Sequence, residues 1–484
     1  MLDGRLPRFV NLLLIGGIEA ISLVVMLHSN SRTRPMTSLL DQSTLTDLAE
    51  RLVAAARRAG ADAADAVAVR SMSLSVEVRE GGVEASERSE DDDVGLRVFV
   101  GRRQAVVSTN DAAADASQLA VRAVAMAKAA PEDAFAGLAD PARLARDVPD
   151  LDLLDPDLPS VAELETQAKT AEAAGLAVKG VTRSEGASAS AGIGGMVLAT
   201  SEGFRGAYLT SHHSLSMSAI AGDGTAMERD YDFSSARHAA DLDGAEKIGR
   251  TAGERAVARL NPRKVSTRKV PVVFDRRIAG GLVGHLAGAI NGNAVARRTS
   301  FLKDKLGQRL FAPGIRIIDD PLRRRGLRSR PFDGEGVAGK PLALVEDGVL
   351  KSWLLDSATA RELKLATTGH AQRGVSSPPS PGATNLHLEP GPLSPEALIA
   401  DIAEGFYVTE LIGMGVNQVT GDYSRGATGF WIENGQRTYP VSEVTIAGHL
   451  LTMFAALTPA SDLEFRYGTN APTVRVEGLT VAGR

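Results

Sequence analysis

Between Val270 and Leu306 the chain reads VPVVFDRRIAGGLVGHLAGAINGNAVARRTSFLKDKL, and this run limits the fold more than any other. The β-branched stretch Val270 to Phe274 predicts a buried strand. Asp275 then stands where an N-cap belongs, and Ile278, Leu282, Val283, Leu286 and Ile290 recur at helical spacing. Gly292, flanked by Asn291 and Asn293, closes the predicted helix over 276–291. One histidine, His285, lies in its middle.

On either side the pattern is α+β. Thr44 to Ala59 predicts an amphipathic helix ended by Gly60. Met72, Leu74, Val76 and Val78 alternate with polar residues, as do Val94, Leu96, Val98 and Val100, and Gly101-Arg102-Arg103 turns the second strand into Gln104–Ser108. Asn110 is the expected cap of an Ala-rich helix to Ala129. Pro131 to Pro159, with five prolines and seven aspartates, reads as a linker or wrapping loop. Helices follow at 160–174 and 241–260, around a Ser- and Gly-rich region of short strands from Thr182 to Ala221, with a turn at Ser201-Glu202-Gly203. Beyond the central helix strands dominate: 315–318, 342–345, 349–355, 405–413, 430–433 and 437–440, then 474–476 and 479–481. Glu346-Asp347-Gly348 and Asn434-Gly435 are hairpin turns, and Ser442 is the expected cap of a helix to about Ala455. The expected fold is an N-terminal helix-flanked β-meander domain (36–130), a linker and middle α+β region (131–260) and a mainly antiparallel β domain (261–484).

Residues 1–35 stand apart. Val10 to Leu27 is mostly apolar, with Arg5 and Arg8 before it, which suggests a signal peptide or anchor. Against that, Glu19 sits mid-run, where a charge costs about 2–3 kcal/mol in a bilayer, and no small-x-small cleavage site follows. The run reads as an unstructured, upstream-extended start, with the native protein beginning at Met36; a membrane anchor is the alternative.

Net charge is -5 and the pI about 6.0, which gives no general electrostatic reason to bind nucleic acid. There is no cysteine, hence no disulfide, thiolate ligand or Cys nucleophile, which fits the cytoplasm. A zinc peptidase needs two neutral imidazoles, a further ligand and a carboxylate to take the proton of the bound water. His285 has no second histidine within six residues on either side, and its neighbour is Leu286, not Glu. His370, His387 and His449 are isolated; His212 and His213, adjacent on a strand, point to opposite faces. The plain reading of His285 is a buried helix histidine satisfied by its neighbours. Gly334, Gly336 and Gly339 match the spacing of a dinucleotide fingerprint, but Pro331 precedes them and Pro341 follows, so a tight turn is expected. No Gly-x-Ser-x-Gly occurs, and the adjacent Asp319 and Asp320 are expected to diverge. Asp91-Asp92-Asp93 and Arg323-Arg324-Arg325 read as solvated loops; the arginines offer an alternative grip on an acidic partner or substrate. Gly421-Asp422-Tyr423-Ser424-Arg425-Gly426 is dense enough in glycine for a bulge and turn, or for close approach of a second backbone.

Several of these stretches, from near residue 40 to the C-terminus, resemble the TldD/PmbA family, the paired bacterial proteins once called modulators of DNA gyrase. The resemblance rests on 270–310, on Phe332-Asp333-Gly334-Glu335-Gly336, which is similar to an Asp-x-Glu-Gly turn near the active cleft, and on 405–450. In that family one sister, TldD, carries His-Glu-x-x-x-His in the central helix, a further cysteine ligand, and zinc. The other, TldE/PmbA, keeps the surroundings without the ligands. On that pattern Gly280 and Gly281 stand at the first His and the Glu, and His285 alone matches, at the second His. The resemblance therefore implies a non-catalytic TldE/PmbA-like subunit with no cofactor of its own and with zinc in its partner. The implied partner is a TldD-like subunit in a heterodimer, with a homodimer also possible, acting on unfolded peptides of the peptide-antibiotic-precursor or antitoxin kind, without nucleic acid or membrane. Asp333, Glu335 and the 421–426 segment are the implied cleft or interface residues. The alternatives are an active metallopeptidase in its own right and a gyrase- or DNA-associated modulator.

Overall fold

In the computed structural model, which describes residues 41–483 except Ala112, a six-stranded antiparallel sheet takes the first half of the chain. Readings that fall on residues 1–35 lie outside the described residues. The sheet's strands are β1 (Ala63–Arg79), β2 (Gly82–Val100), β3 (Arg103–Thr109), β4 (Val181–Thr200), β5 (Arg205–Ala221) and β6 (Glu228–Ala236), in the order β3-β2-β1-β4-β5-β6. Four helices cover one face: α1 (Ser43–Arg58), α2 (Ala116–Ala129), α3 (Val161–Leu176) and α4 (Ala245–Ala258). Ala64, Ala66 and Ala68 of β1 pack under α1 and α2, and Met72, Leu74, Val76 and Val78 under α3 and α4. Side chains on one strand face lie every second residue, so a single alternation serves both helix pairs. The regions 36–130 and 131–260 thus share one sheet through β1 and β4, which pair from Asp65 with Thr200 to Val78 with Ala187. Their strands are far longer than expected; β4 and β5 run through the Ser- and Gly-rich region unbroken from Val181 to Thr200 and from Arg205 to Ala221.

The second half is mainly β, as expected. Its larger sheet holds β7 (Arg268–Phe274), β14 (Glu404–Ile412), β15 (Asp422–Glu433), β16 (Gln436–His449), β17 (Leu457–Pro459) and β19 (Val474–Ala482). The order is β16-β15-β14-β7-β19-β17, and β16 also pairs with β19. The smaller sheet holds β8 (Ile317–Asp319), β9 (Leu342–Glu346), β10 (Val349–Leu350), β13 (Leu386–Leu388) and β18 (Thr469–Asn470), and β11 (Ala371–Gln372) pairs with β12 (Ser380–Pro381). Short helices α6 (Gly292–Ala296), α7 (Ser357–Glu362), α8 (Pro395–Ile399) and α9 (Leu450–Ala455) fill the connections around the central α5 (Arg276–Ala289).

Several local readings are corrected. Asp115, not Asn110, caps α2, accepting from Ser117 N at 2.8 Å. Asp91-Asp92-Asp93 is strand rather than loop: it pairs with Ser71, Arg70 and Val69, and Arg70 reaches Asp92 at 2.7 Å. The helix over 276–291 ends at Ala289, and Gly292 opens α6 with Asn291 as its cap. Glycine is needed there because a Cβ would lie 2.6 Å from Thr359 Oγ1. The strand expected over 349–355 stops at Leu350. Ser442 caps no helix: β16 runs to His449, which caps α9. Ser442 and Glu443 (φ +55°) form a bulge where β15 advances by two residues and β16 by three, so a polar residue that reads as a cap marks a kinked strand. The Asn434-Gly435 hairpin is as expected, with both φ angles positive (+50° and +77°).

Candidate functional site

The strand-to-helix turn at 274–277 sets the candidate site. β7 lies between β14 and β19, and Val272 and Phe274 are fully buried. Asp275 caps α5, accepting from Arg277 N at 2.9 Å, and its second oxygen accepts from the Tyr407 hydroxyl at 3.0 Å. Ala279, Leu282, Val283, Leu286 and Ala289 turn inward. The opposite stripe carries Gly281, Gly284 and Gly288, all exposed. A Cβ added at Gly281 or Gly284 would meet nothing within 4 Å. Gly280 is different: its Cβ would lie 2.7 Å from the main-chain oxygen of Thr469. Position 280 therefore has no room for a side chain unless 469 moves.

His285 sits at the edge of the glycine stripe, half-buried. Its ring meets Tyr423 edge-on, with centroids 6.0 Å apart. Burial, with Arg425 adding to it, pushes the imidazole down to about 4, so the ring is neutral at neutral pH. Among the described residues the ring makes this aromatic contact and no hydrogen bond, so the expectation that neighbours satisfy its nitrogens is corrected. Tyr423 is buried, its hydroxyl has no partner among the described residues, and burial holds it protonated well above the usual phenol range.

Tyr423 and Arg425 come from the 421–426 segment, so the structure brings that segment against the motif helix. From Asp422 the segment is the start of β15 rather than a turn, and the loop 413–420 folds back over it. Ser424 N donates to Gly415 O at 2.7 Å, and Arg425 Nε to Ile412 O at 3.3 Å. Gly421 (φ +91°) is where a second side chain comes close: its Cβ would lie 2.8 Å from the His449 ring. Asp422 and Ser424 face outward, as do Ile412 at the end of β14 and Met414 and Val419 on the loop. Gly426 lies against Ile412. The glycine stripe and His285 thus lie beside a segment that turns Asp422 and Ser424 outward.

Zinc does not fit these residues. Among the described residues no three His, Cys, Asp or Glu side chains are grouped to hold a metal. His285 offers a single nitrogen, and a lone imidazole is a poor site.

Asp333 and Glu335 belong to a different cluster. Asp333 accepts from the amides of Glu335, Val337 and Ala371, and Glu335 from Ser357 N at 2.8 Å. Their hydrogen bonds run neither to α5 nor to 421–426, and both side chains are buried in the turn. Burial and the neighbouring Asp333 push Glu335 up to about 7. Sequence reasoning missed their companions, Asp65, Arg97 and Arg373. Arg97 Nε donates to Asp65 at 3.0 Å, and Arg373 Nη2 lies 2.6 Å from the same carboxylate. Arg97 stands at a polar position of an alternating strand, which reads as solvent-facing. The loops of the second half cover that face, and Phe332 packs there against Val67, Leu198 and Phe204. Arg323-Arg324-Arg325 lies in a loop, as expected, and it grips its own chain: Arg324 and Arg325 hold Asp152 at 2.9 and 2.5 Å, and Arg323 stacks on Phe465. The glycines 334–339 form the tight turn expected, with Gly336 at φ +83°.

Comparison with known proteins fits this architecture. Family models described as PmbA/TldA metallopeptidase domain 1, central domain and C-terminal domain match residues 64–127, 154–260 and 267–483. Metalloprotease PmbA of Escherichia coli O157:H7 is 39% identical over 426 residues, covering 87% of this chain and 93% of that protein. A solved structure of a candidate modulator of DNA gyrase from Bacteroides thetaiotaomicron superposes with a TM-score of 0.84 at 26% identity, over 91% of this chain and 99% of that one. TldE from Thermococcus kodakarensis shares the fold, with a TM-score of 0.78 at 21% identity over 90% of this chain and all of that one.

Proposed function

This chain belongs to the PmbA/TldD metallopeptidase family, and from that premise we propose that it is the non-catalytic subunit of a cytoplasmic peptidase complex whose zinc sits in a TldD-like sister chain. One observation carries the reading: the residue matching the first zinc histidine is Gly280, and the Thr469 carbonyl occupies the space a side chain would need. Gly281 supplies no carboxylate, and His285 faces Tyr423 and Arg425. What the chain contributes is the open wall of α5. Glycine there leaves a surface with no side chains in the way of an extended peptide, and an unfolded peptide held through its own backbone at a strand edge is read with little regard to sequence.

The relatives' description as metalloproteases favours a second reading, in which this chain cuts peptides by itself. Co-expression with the sister chain separates the two. Peptide cleavage is expected from the mixture and not from this chain alone, and zinc is expected in the sister alone. Chelator-sensitive cleavage by the isolated chain, with near one zinc per chain, would overturn the subunit reading. A direct DNA role lacks the positive charge it would need.

A further inference from the structure

The larger sheet of the second half carries a cavity of about 170 Å³ on the side away from the body of α5. Alternation along two neighbouring strands puts it there. Val272, Phe274, Phe406 and Val408 join the core under α5, whereas Val273 and Tyr407 point the other way and pack with Ile399, Ile402 and Ile432. The helix α8 supplies one side of the cavity, and that side is fixed. Ser394 caps α8, Arg475 Nη1 donates to Leu398 O at 3.0 Å, and a Cβ at Gly435 would lie 2.5 Å from Ala400 O. The cavity is therefore preformed. Pro395, Ile399 and the Tyr407 ring give it an apolar wall. Its volume falls below the roughly 300 Å³ at which pockets for drug-sized ligands begin, which suits one amino acid rather than a longer peptide.

The charged groups of the lining divide into those already matched and those left over. Arg276 holds Glu464, which lies outside the lining, at 2.5 Å. Asp275 and Asp462 take neutral donors: Asp275 the Arg277 amide and the Tyr407 hydroxyl, Asp462 the amide and hydroxyl of Thr473 at 2.8 Å each. The Arg277 guanidinium stands 3.7 Å from Asp275 and is held by Asp230 at 2.8 Å. Arg437 lies over the Tyr407 ring, 4.7 Å from its centroid, and among the described residues it makes no hydrogen bond or ion pair. Glu396 lies near enough to feel its charge, without an ion pair between them. A carboxylate oxygen accepts more than one hydrogen bond, and the guanidinium fork is open to a carboxylate. We propose that this cavity binds a free α-amino acid of about the size of leucine. Its carboxylate would sit on Arg437, its ammonium on Asp275, Asp462 and Glu396, and its side chain on Pro395 and Ile399. The glycine stripe takes no part, so this goes beyond the subunit reading and does not depend on it.

The test is calorimetric titration of the full chain with L-leucine, and saturable binding is expected. Leucine methyl ester lacks the carboxylate and N-acetyl-leucine lacks the ammonium. Each should bind at least about tenfold more weakly, because each loses charge-assisted hydrogen bonds. Arg437→Gln should weaken leucine binding to the same degree. Arg437 is exposed, so the melting temperature of that variant should match the parent's. Absence of saturable binding, or equal binding by Arg437→Gln protein, overturns the proposal. Equal binding of the methyl ester would also overturn it, by reducing the cavity to a site for cations. Binding of leucyl-leucine with none of leucine would give the cavity to a peptide end and overturn the assignment to a free amino acid. None of these outcomes bears on whether the sister chain carries the zinc.

Discussion

Glu335 is the residue with the clearest pH signature. Its carboxyl is raised to about 7 by burial and by Asp333, against an ordinary value near 4.5. A raised carboxyl contributes stability fully present below the unfolded value and lost as pH climbs through about 7. Glu335→Gln keeps an acceptor for Ser357 N without the charge. Melting curves are expected nearly to coincide at pH 4.5 and to favour the variant by on the order of 3 kcal/mol at pH 8.5; equal destabilisation at both pH values would contradict the assignment. His285 runs the other way. Its folded value, about 4, lies below the ordinary 6.5, so stability is full above 6.5 and falls as acid approaches 4. His285→Leu, which keeps an apolar contact with Tyr423, should flatten the stability profile between pH 6.5 and 4; an unchanged profile in denaturant titrations would place the titrating group elsewhere. The sequence marked both residues but not their surroundings. Arg97, which faces Glu335, sits in an alternating strand that reads as one-sided, and only the covering loops make it buried.

At the scale of elements, α5 offers a contrast between adjacent glycines. Gly281 has open space around its missing Cβ, so Gly281→Ala should stabilise by about 1 kcal/mol through helix propensity. Gly280→Ala must push against the Thr469 carbonyl, and a cost of about 1–3 kcal/mol is expected. Thermal melts of the two variants that moved together would dispose of the close approach. The helix itself was legible, since Asp275 and the apolar spacing act within one turn of chain. Its end was not: Gly292 reads as a terminator, whereas the position is set by Thr359, 67 residues away in sequence. Ser442 taught the same lesson. A polar residue before an apolar run serves as a cap or as a bulge, and the partner strand β15 decides which.

At the scale of the whole molecule, Asp65, Arg97 and Arg373 tie the first sheet to the second half. Burial pushes the Asp65 carboxyl up, but Arg373 and then Arg97 outweigh it and hold it below its ordinary value. Asp65→Ala strands two buried guanidinium groups, and a loss of about 3–5 kcal/mol is expected. Replacing all three residues with apolar ones of similar size should recover most of it; a single variant within about 1 kcal/mol of the parent protein would show that the cluster is solvated. No signal along the chain announces such a triad, because its members lie at 65, 97 and 373 and meet only when the loops of the second half close over the sheet. The sequence by itself determined the α+β class, the strand-to-helix turn at Asp275, the hairpin at Asn434-Gly435 and the lack of ligands where a zinc helix would carry them. Each of those depends on groups within a few residues of one another. Tertiary structure alone decided that Gly280 has no room for a side chain, that Asp333 and Glu335 are buried in a hydrogen-bonded turn, and that Asp91-Asp92-Asp93 is strand. Those depend on which distant backbone comes to lie alongside, and packing sets that.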